Sequence, residues 1–219
     1  MGLKDNLKMM INWLWVLLIC TGLFLLLMLA VRNPAFVAID KGLLNRLDPI
    51  RVSPFVTFFA KLTDFGASGL LIPIIAFSML FLAYKRQITA LILLQIAFLT
   101  ERGLNGLLKH WIMRDRPAAP HLVHEYGYSF PSGHAMNAAV VYGLLILLIT
   151  PVIRIKRMKI IWTSICLAMI LLIGFSRPFL RVHYFSDVLA GYCAGGAIIS
   201  VCAIILLFVQ QIRQKKGCE

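Results

Sequence analysis

Runs of apolar residues, longer than a soluble helix would tolerate, most constrain what this chain can fold into. The first run, from Ile11 to Val31, contains no charged residue. A helix needs about 20 consecutive apolar residues to cross a bilayer, and this run meets that length. Hydrophobic residues make up 60% of the chain, and the mean hydropathy is +0.86. Soluble domains are roughly 45–50% apolar, so we expect an integral membrane protein.

Six segments are predicted to cross the membrane as helices, which gives an all-α fold class: an integral-membrane bundle of six transmembrane helices. Their approximate bounds are 11–31, 67–84, 88–108, 134–150, 159–175 and 187–211. Little of the chain is left over, so residues 1–219 are expected to form a single domain. The first run is longer than the roughly 7–15-residue core of a signal peptide, so we expect an uncleaved anchor.

The longest connection between predicted spans covers residues 32–66. It mixes charged residues with apolar ones, among them Phe55, Phe58 and Phe59. Its second half fits a helix that lies along the membrane surface, but an ordinary packed loop fits equally well. The sequence leaves these two alternatives open.

The net charge of +13 could point to nucleic acid, but the positions of the basic residues argue against that partner. Many of them lie between apolar runs, in short clusters at residues 85–86, 154–159 and 213–216. This arrangement is typical of topology signals and of contacts with anionic lipids. We therefore expect membrane lipids as partners and no nucleic acid.

Three short strings of polar residues interrupt the apolar pattern near the ends of predicted spans. They are KHWIMRDRP at residues 109–117, PSGH at 131–134 and SRPFLRVHYFSD at 176–187. Charges at membrane depth are costly, so those that are kept usually have a function. The first string follows the third span, the second opens the fourth, and the third leads into the sixth. All three are therefore predicted to lie on one side of the membrane.

These strings carry the groups that a phosphate ester needs for binding in a dry site. Arginine binds phosphate in a bidentate manner, and backbone N–H groups at a helix start attract anions. The predicted phosphate-binding residues are three cations and the donors that open the fourth span, namely Lys109, Arg116, Arg177, Ser132 and Gly133. Pro131 and Arg181 are possible further contacts, and Arg181 would favour a second phosphate or a charged headgroup.

Two histidines and a carboxylate could cleave the bound ester. His183 and Asp187 lie four residues apart, so on a helix Asp187 can accept the Nδ1–H of His183. This leaves Nε2 free to attack phosphorus, and His134 is the candidate acid for the leaving oxygen. A phosphohistidine intermediate would form, and water would resolve it. Because His183 must be neutral while His134 is protonated, a bell-shaped pH profile is expected.

The three strings together resemble the signature of the type 2 phosphatidic acid phosphatase (PAP2) superfamily. Its pattern is KxxxxxxRP, then PSGH, then SRxxxxxHxxxD, and every defining position is matched here. The six spans match too, so the resemblance implies a PAP2-type bundle over nearly the whole chain. It also implies a metal-independent lipid phosphatase without a cofactor, with His183 as nucleophile and His134 as general acid.

Within that superfamily, residues 122–143 resemble bacterial phosphatidylglycerophosphate phosphatases and undecaprenyl pyrophosphate phosphatases. We expect hydrolysis of phosphatidylglycerophosphate to phosphatidylglycerol, with undecaprenyl pyrophosphate hydrolysis or lipid phosphotransfer as alternatives. Transport is disfavoured, because apart from Glu101 and Arg102 no run of polar residues crosses the apolar core. That pair either forms bonds within the bundle or supports Lys109 from behind. Glu125 and Tyr126 are expected to shape the rim of the site.

The Lys and Arg counts are equal on the two sides of the membrane. Cations that a phosphate would neutralise, and those in the acid-containing first loop, are weaker topology signals. Without them, both termini are expected in the cytoplasm and the site on the extracytoplasmic side of the cell membrane. Gly191 and Gly195 allow close helix packing within or between chains, so the oligomeric state stays open. His121 and His124 lack matching ligands, and no metal site is expected.

Overall fold

Eight α-helices and three short 3-10 helices make up the regular structure of residues 3–118 and 120–216, the parts of the chain that the computed structural model describes. No strand occurs in these ranges. The helices are α1 Leu3–Ala30, α2 Pro34–Asn45, α3 Ser53–Thr63, α4 Ser68–Tyr84, α5 Ile88–Ile112, α6 Gly133–Ile149, α7 Lys156–Phe179 and α8 Phe185–Lys216. The predicted all-α fold class is confirmed.

Five helical segments within the described ranges are long and apolar enough to cross a membrane. They are Asp5–Ala30, Ile88–Ile112, Gly133–Val152, Lys156–Phe179 and Phe185–Gln214. Helix α4 has 17 residues, and it passes the same test only together with α3, as a pair bent by 49°. The six predicted spans are reached when this bent pair counts as one crossing. The sequence left open whether the second half of the 32–66 connection is a helix or a packed loop. The structure shows a helix there, α3.

Helix α6 is the most deeply buried of the spanning helices, and it packs against α5, α7 and α8. The core around it includes Leu71, Leu94 and Ile173, which are all fully buried. A helix enclosed in this way is apolar on all faces, which explains why its sequence has no polar stripe. The N-terminus of α6, where the PSGH string lies, is therefore held in place by its neighbours.

Small residues let α6 and α8 approach each other closely. A Cβ atom added at Gly191 would lie 2.8 Å from the carbonyl oxygen of Ser132, and one added at Gly195 would lie 2.7 Å from the Cβ of Ala139. Both distances are too short, because carbon–oxygen contacts are about 3.3 Å or longer and optimal carbon–carbon contacts are about 3.5–4.0 Å. The seam predicted from these glycines thus lies within the chain, and it fixes the start of α6 against α8.

Local signals end helices α5 and α7 and begin α6 at the level of the three strings. Met113 adopts a left-handed conformation with a φ of 50°, and its N–H donates to the carbonyl of Lys109 at 3.0 Å. Pro178 lies in the last turn of α7. At the start of α6, the Oγ of Ser132 accepts the N–H of Ala135 at 3.4 Å. The strings therefore flank helix ends, where their side chains can meet.

Candidate active site

The three polar strings meet at one end of the bundle, where α5 and α7 end and α6 and α8 begin. Ser132 of the second string donates its N–H to the carbonyl oxygen of Asp187 of the third at 3.0 Å. Arg116 of the first string lies 3.1 Å from the Nε2 of His183 of the third. The prediction that the strings share one side of the molecule agrees with these contacts.

His183 presents an unprotonated nitrogen to the cations of the site. The residue is almost fully buried, with 1% of its surface exposed. The Nη1 of Arg116 lies 3.1 Å from Nε2, and because a guanidinium can only donate, Nε2 accepts with its lone pair. Burial, followed by the charges of Arg177, Arg116 and Lys109, lowers the pKa of His183 well below its usual range. The ring is therefore neutral at neutral pH, as a nucleophile must be.

Asp187 lies beside His183 and is held mainly by other donors. Its Oδ2 is 3.4 Å from the Nδ1 of His183, although the angle there is not that of a hydrogen bond. Its Oδ1 accepts from the Nη1 of Arg114 at 2.6 Å. Its Oδ2 accepts from the hydroxyl of Ser129 and from the N–H of Tyr184, the latter at 2.8 Å. The predicted His–Asp neighbourhood is present, but the orientation of the carboxylate depends on further residues.

Arg114 connects this carboxylate to helix α2. Its Nη2 lies 2.9 Å from the Oδ2 of Asp40, and its Nη1 donates to the Oγ of Ser186 at 2.7 Å. The guanidinium carbon lies 4.1 Å from the centre of the Tyr184 ring. Both carboxylates are nearly inaccessible, so Arg114 neutralises two buried charges at once.

Neither Arg114 nor Asp40 received a role from the sequence. Arg114 stands two positions before Arg116, and Asp40 is an acid in a largely apolar helix. Buried ionised groups are rare unless they are paired, so each position carried a weak signal. That the two residues pair with each other could not be predicted from the sequence, because they lie 74 positions apart in the chain.

Glu125 lies within the cation cluster, by which we mean Lys109, Arg116 and Arg177. The Nη2 of Arg177 donates to its Oε1, and the Nη2 of Arg116 donates to its Oε2 at 3.4 Å. Oε1 is also 3.6 Å from the Nδ1 of His134. Arg177 is fully buried, and its Nη1 donates to the Oγ1 of Thr63 at 2.6 Å. Glu125 thus reaches into the cluster and does more than shape its rim.

Lys109 and Glu101 lie about two turns apart on α5, and both are short of partners. Lys109 is partly buried and makes no hydrogen bond or ion pair with a described residue, so its ammonium is available to an anion. Glu101 is buried, and among the described residues its Oε2 has no partner. Arg102 does not pair with Glu101, because it lies at the surface and bonds the Oγ of Ser68. Support of Lys109 by Glu101 stays a prediction.

The PSGH string is braced by α5. A Cβ atom added at Gly133 would lie 3.1 Å from the Oδ1 of Asn105, and the Nδ2 of Asn105 donates to the carbonyl of Pro131 at 3.5 Å. Ser132 is fully buried, and His134 lies in the first turn of α6. The contact of Ser132, Gly133 and Pro131 with a phosphate stays a prediction.

Arg181, a possible substrate contact, is engaged by another carboxylate. It has a φ of 59°, and its Nη2 lies 2.5 Å from the Oδ1 of Asp48. Asp48 also pairs with Arg51, which donates to the carbonyls of Pro178 at 2.9 Å and Phe179 at 2.8 Å. These residues tie the connection after α2 to the end of α7. A role for Arg181 in binding stays a prediction, and it would require a change of partner.

The chemistry that this arrangement permits is anion binding followed by attack of an imidazole. Among the described residues, no three His, Cys, Asp or Glu side chains are placed to hold a metal ion. The Nε2 of His121 lies 3.0 Å from the carbonyl of Pro117. Cations, a neutral imidazole and a second histidine are the groups that converge.

Known proteins share both this sequence pattern and this fold. The model of the PAP2 superfamily matches residues 86–211, which include all three strings. The chain is 34% identical over 174 residues to a protein named phosphatidylglycerophosphatase B from Bacillus subtilis (strain 168), which covers 78% of this chain and 85% of the relative.

Two crystal structures have a similar fold. One is the first transmembrane PAP2 type phosphatidylglycerolphosphate phosphatase from Bacillus subtilis, with a TM-score of 0.80, 30% identity, and coverage of 91% of this chain and 97% of that chain. The other is LpxE of Aquifex aeolicus, with a TM-score of 0.61, 23% identity, and coverage of 76% and 95%. At that identity, the second structure supports the fold alone.

Proposed function

The chain belongs to the PAP2 superfamily and is a membrane lipid phosphatase, and from this premise we propose that it hydrolyses phosphatidylglycerophosphate to phosphatidylglycerol and phosphate. Both Bacillus subtilis relatives are named for a phosphatidylglycerophosphate phosphatase, which supports this substrate. The reaction would need neither a metal nor a cofactor. The observation that carries the proposal is the unprotonated Nε2 of His183, which faces the cation cluster 3.1 Å from Arg116.

In the proposed first step, the phosphate monoester binds to the cation cluster. Charge-assisted bonds from guanidinium and ammonium groups to phosphate oxygens are strong in a site that excludes water. Lys109 makes no hydrogen bond or ion pair with a described residue, so it can bind an oxygen directly. Arg116 donates to Nε2, and a phosphate oxygen would take that hydrogen bond. The lone pair of Nε2 would then be free.

In the proposed second step, Nε2 of His183 attacks phosphorus. A bond forms between Nε2 and phosphorus, the ester P–O bond breaks, and His134 gives its proton to the leaving oxygen, which departs as the hydroxyl of phosphatidylglycerol. The phosphorylated ring is positively charged, and Asp187 stands 3.4 Å from its Nδ1 to compensate. His134 then takes a proton from water, the resulting hydroxide attacks phosphorus, and the bond to Nε2 breaks. Free phosphate leaves, and both histidines return to their starting states.

The proposal places both termini in the cytoplasm and the site on the extracytoplasmic side. Support comes from the basic clusters at 85–86, between α4 and α5, and at 154–159, around the start of α7, both at the end of the bundle opposite the site. A membrane-impermeant thiol reagent on intact cells should label Ala118→Cys and should leave Lys85→Cys unlabelled. Both positions are exposed, and the parent chain serves as background control. The reverse labelling would invert the proposed topology.

The alternative substrate is undecaprenyl pyrophosphate. Arg181, two positions before His183, would bind a second phosphate if it gave up its present partner Asp48. If Arg181 serves that phosphate, Arg181→Ala should lower the rate on pyrophosphate lipids more than the rate on monophosphate lipids. Equal loss on both kinds of substrate would reject this role.

The proposed function is tested by phosphate release from the detergent-purified protein in EDTA. Phosphatidylglycerophosphate, undecaprenyl pyrophosphate and phosphatidate are compared, with His183→Ala as the control. We expect release by the parent protein only, fastest from phosphatidylglycerophosphate. Fastest release from undecaprenyl pyrophosphate would select the alternative substrate. Transfer of the phosphoryl group to an added alcohol without free phosphate would instead identify a phosphotransferase, and equal release by His183→Ala would refute the histidine mechanism.

A further inference from the structure

Glu125 pairs with the two arginines of the cation cluster in the way that a phosphate would. Its Oε1 accepts from Arg177, and its Oε2 accepts from Arg116 at 3.4 Å. The Nδ1 of His134, the proposed acid, lies 3.6 Å from Oε1. A carboxylate and a phosphate both offer a negative charge and oxygens that match guanidinium donors. The site thus contains an anion of the protein itself.

We propose that Glu125 is a positioning residue that takes the place of the substrate's phosphate. It holds Arg116 and Arg177 in their binding positions before a phosphate binds, and it has to leave when a phosphate enters. This inference rests on the proposed function, because it assumes that the two arginines bind the phosphate of the substrate.

The two anions cannot occupy the cluster together. Arg177 is fully buried and is anchored by Thr63, so it cannot follow a departing carboxylate to the surface. A phosphate on the same guanidinium would bring two negative charges into contact, and such repulsion is strong where water is excluded. One of the two anions must therefore withdraw. The phosphate of the substrate has to stay in order to react, so Glu125 is the anion that leaves.

The surroundings of Glu125 allow its side chain to move while its backbone stays. Its side chain is 19% exposed, whereas that of Arg177 is 1% exposed. The next two carbonyls, of Tyr126 and Gly127, both accept from Arg116 at 2.9 Å, which holds the segment against the site. Tyr126 itself is 86% exposed, so there is open space on that side. Rotation of the carboxylate towards this surface would open the cluster without unfolding the segment.

Competition of this kind lowers the apparent affinity of the site for phosphate. When a binding-competent state is populated only part of the time, the apparent affinity falls by that fraction. Glu125→Gln keeps the size of the side chain and removes its charge. We expect this variant to bind inorganic phosphate about tenfold more tightly, because charge-assisted hydrogen bonds are stronger than neutral ones. It should also melt at a lower temperature when empty, since the two arginines then lose their counter-ion.

The experiment compares the binding of inorganic phosphate to the detergent-purified full chain by titration calorimetry and by thermal unfolding. Asp115→Asn is the matched control: it makes the same change of charge one residue from Arg116, but Asp115 is exposed and makes no ion pair with a described residue. Glu125→Asp is a second variant, in which the shortened acid reaches the arginines less well and should tighten phosphate binding by a smaller factor. Arg177→Gln tests the proposed site itself.

The expected result is tighter phosphate binding by Glu125→Gln, an intermediate value for Glu125→Asp, and no change for Asp115→Asn. Equal or weaker binding by Glu125→Gln, or the same gain in Asp115→Asn, would overturn the inference. Should Glu125→Gln fail to fold, unchanged or weaker binding by Glu125→Asp would overturn it. Arg177→Gln distinguishes failure of this inference from failure of the proposed phosphate site. If it loses phosphate while Glu125→Gln behaves as the parent, only this inference fails, and if it binds as the parent, the assignment of the cation cluster fails as well.

Discussion

Substitution of Gly191 by alanine should weaken both the fold and the catalysis, because the seam between α6 and α8 has no room for a methyl group. The added Cβ would lie 2.8 Å from the carbonyl oxygen of Ser132 and 3.1 Å from the backbone nitrogen of Met136. Neither atom is the end of a flexible side chain, so the start of α6 must move as a unit. A normal carbon–oxygen contact is about 3.3 Å or longer, so a shift of about half an ångström is required.

The size of the effect follows from that shift. Overpacking of this kind costs about 1–3 kcal/mol, which lowers the melting temperature by roughly 2–12 °C in a chain of this size. The shift also displaces His134 at the start of α6. Since a misplacement of about 1 Å can cost about a hundredfold in rate, half of that distance should lower kcat/KM about tenfold.

Thermal unfolding in detergent and phosphate release from the preferred lipid would measure the two effects. Gly106→Ala on α5 is the matched control, because its added Cβ meets no atom within 4 Å. There alanine should leave activity unchanged and raise stability slightly, by about 0.5–1 kcal/mol, since glycine is a poor helix former. A Gly191→Ala protein that matches the parent in melting temperature and kcat/KM would refute the account of the seam.

Three further predictions follow from the contacts of the site. Arg114→Met leaves two buried carboxylates without their cation and should lower the stability to unfolding by about 3–5 kcal/mol; unchanged thermal unfolding would reject its structural role. Protonation of His183 removes the lone pair that attacks, and the pKa of this group lies well below the ordinary 6.5. The inflection on the acid side of the kcat/KM profile that reports His183 should therefore lie below pH 6.5. An inflection at or above that pH would contradict the geometry. Thr63→Val removes the 2.6 Å bond to Arg177 and should lower kcat/KM about tenfold, whereas Thr57→Val on the exposed side of the same helix should not; equal values for the two variants would exclude this support.

The membrane helices could be predicted because the bilayer imposes a local requirement. A spanning segment must be apolar over its own length, so Ile11 to Val31 reveals a span without reference to the rest of the chain. The second span was harder, because α4 is short and the structure joins it to α3 through a bend of 49°. The bend depends on how the two helices pack, and no residue pattern in the sequence announces it.

The members of the site could be predicted in the same way, because their chemistry is carried by residue type and spacing. Lys109, Arg116, Arg177, His134 and His183 were all chosen from the sequence, and the contacts of the structure bring their strings together. Their roles in the reaction stay proposals that the experiments above would test.

The pairing of charges was decided by the tertiary structure alone. Glu125 meets Arg177 across 52 positions of sequence, and Arg114 meets Asp40 across 74. Such pairs form because a charge buried in a low-dielectric interior needs whichever opposite charge the packing brings near. Close packing of α8 on α6 is likewise a property of two surfaces, and only the fold shows that Gly191 serves the chain's own interior. Sequence thus determined which groups the protein has and which segments cross the membrane, and three-dimensional packing determined which groups hold one another in place.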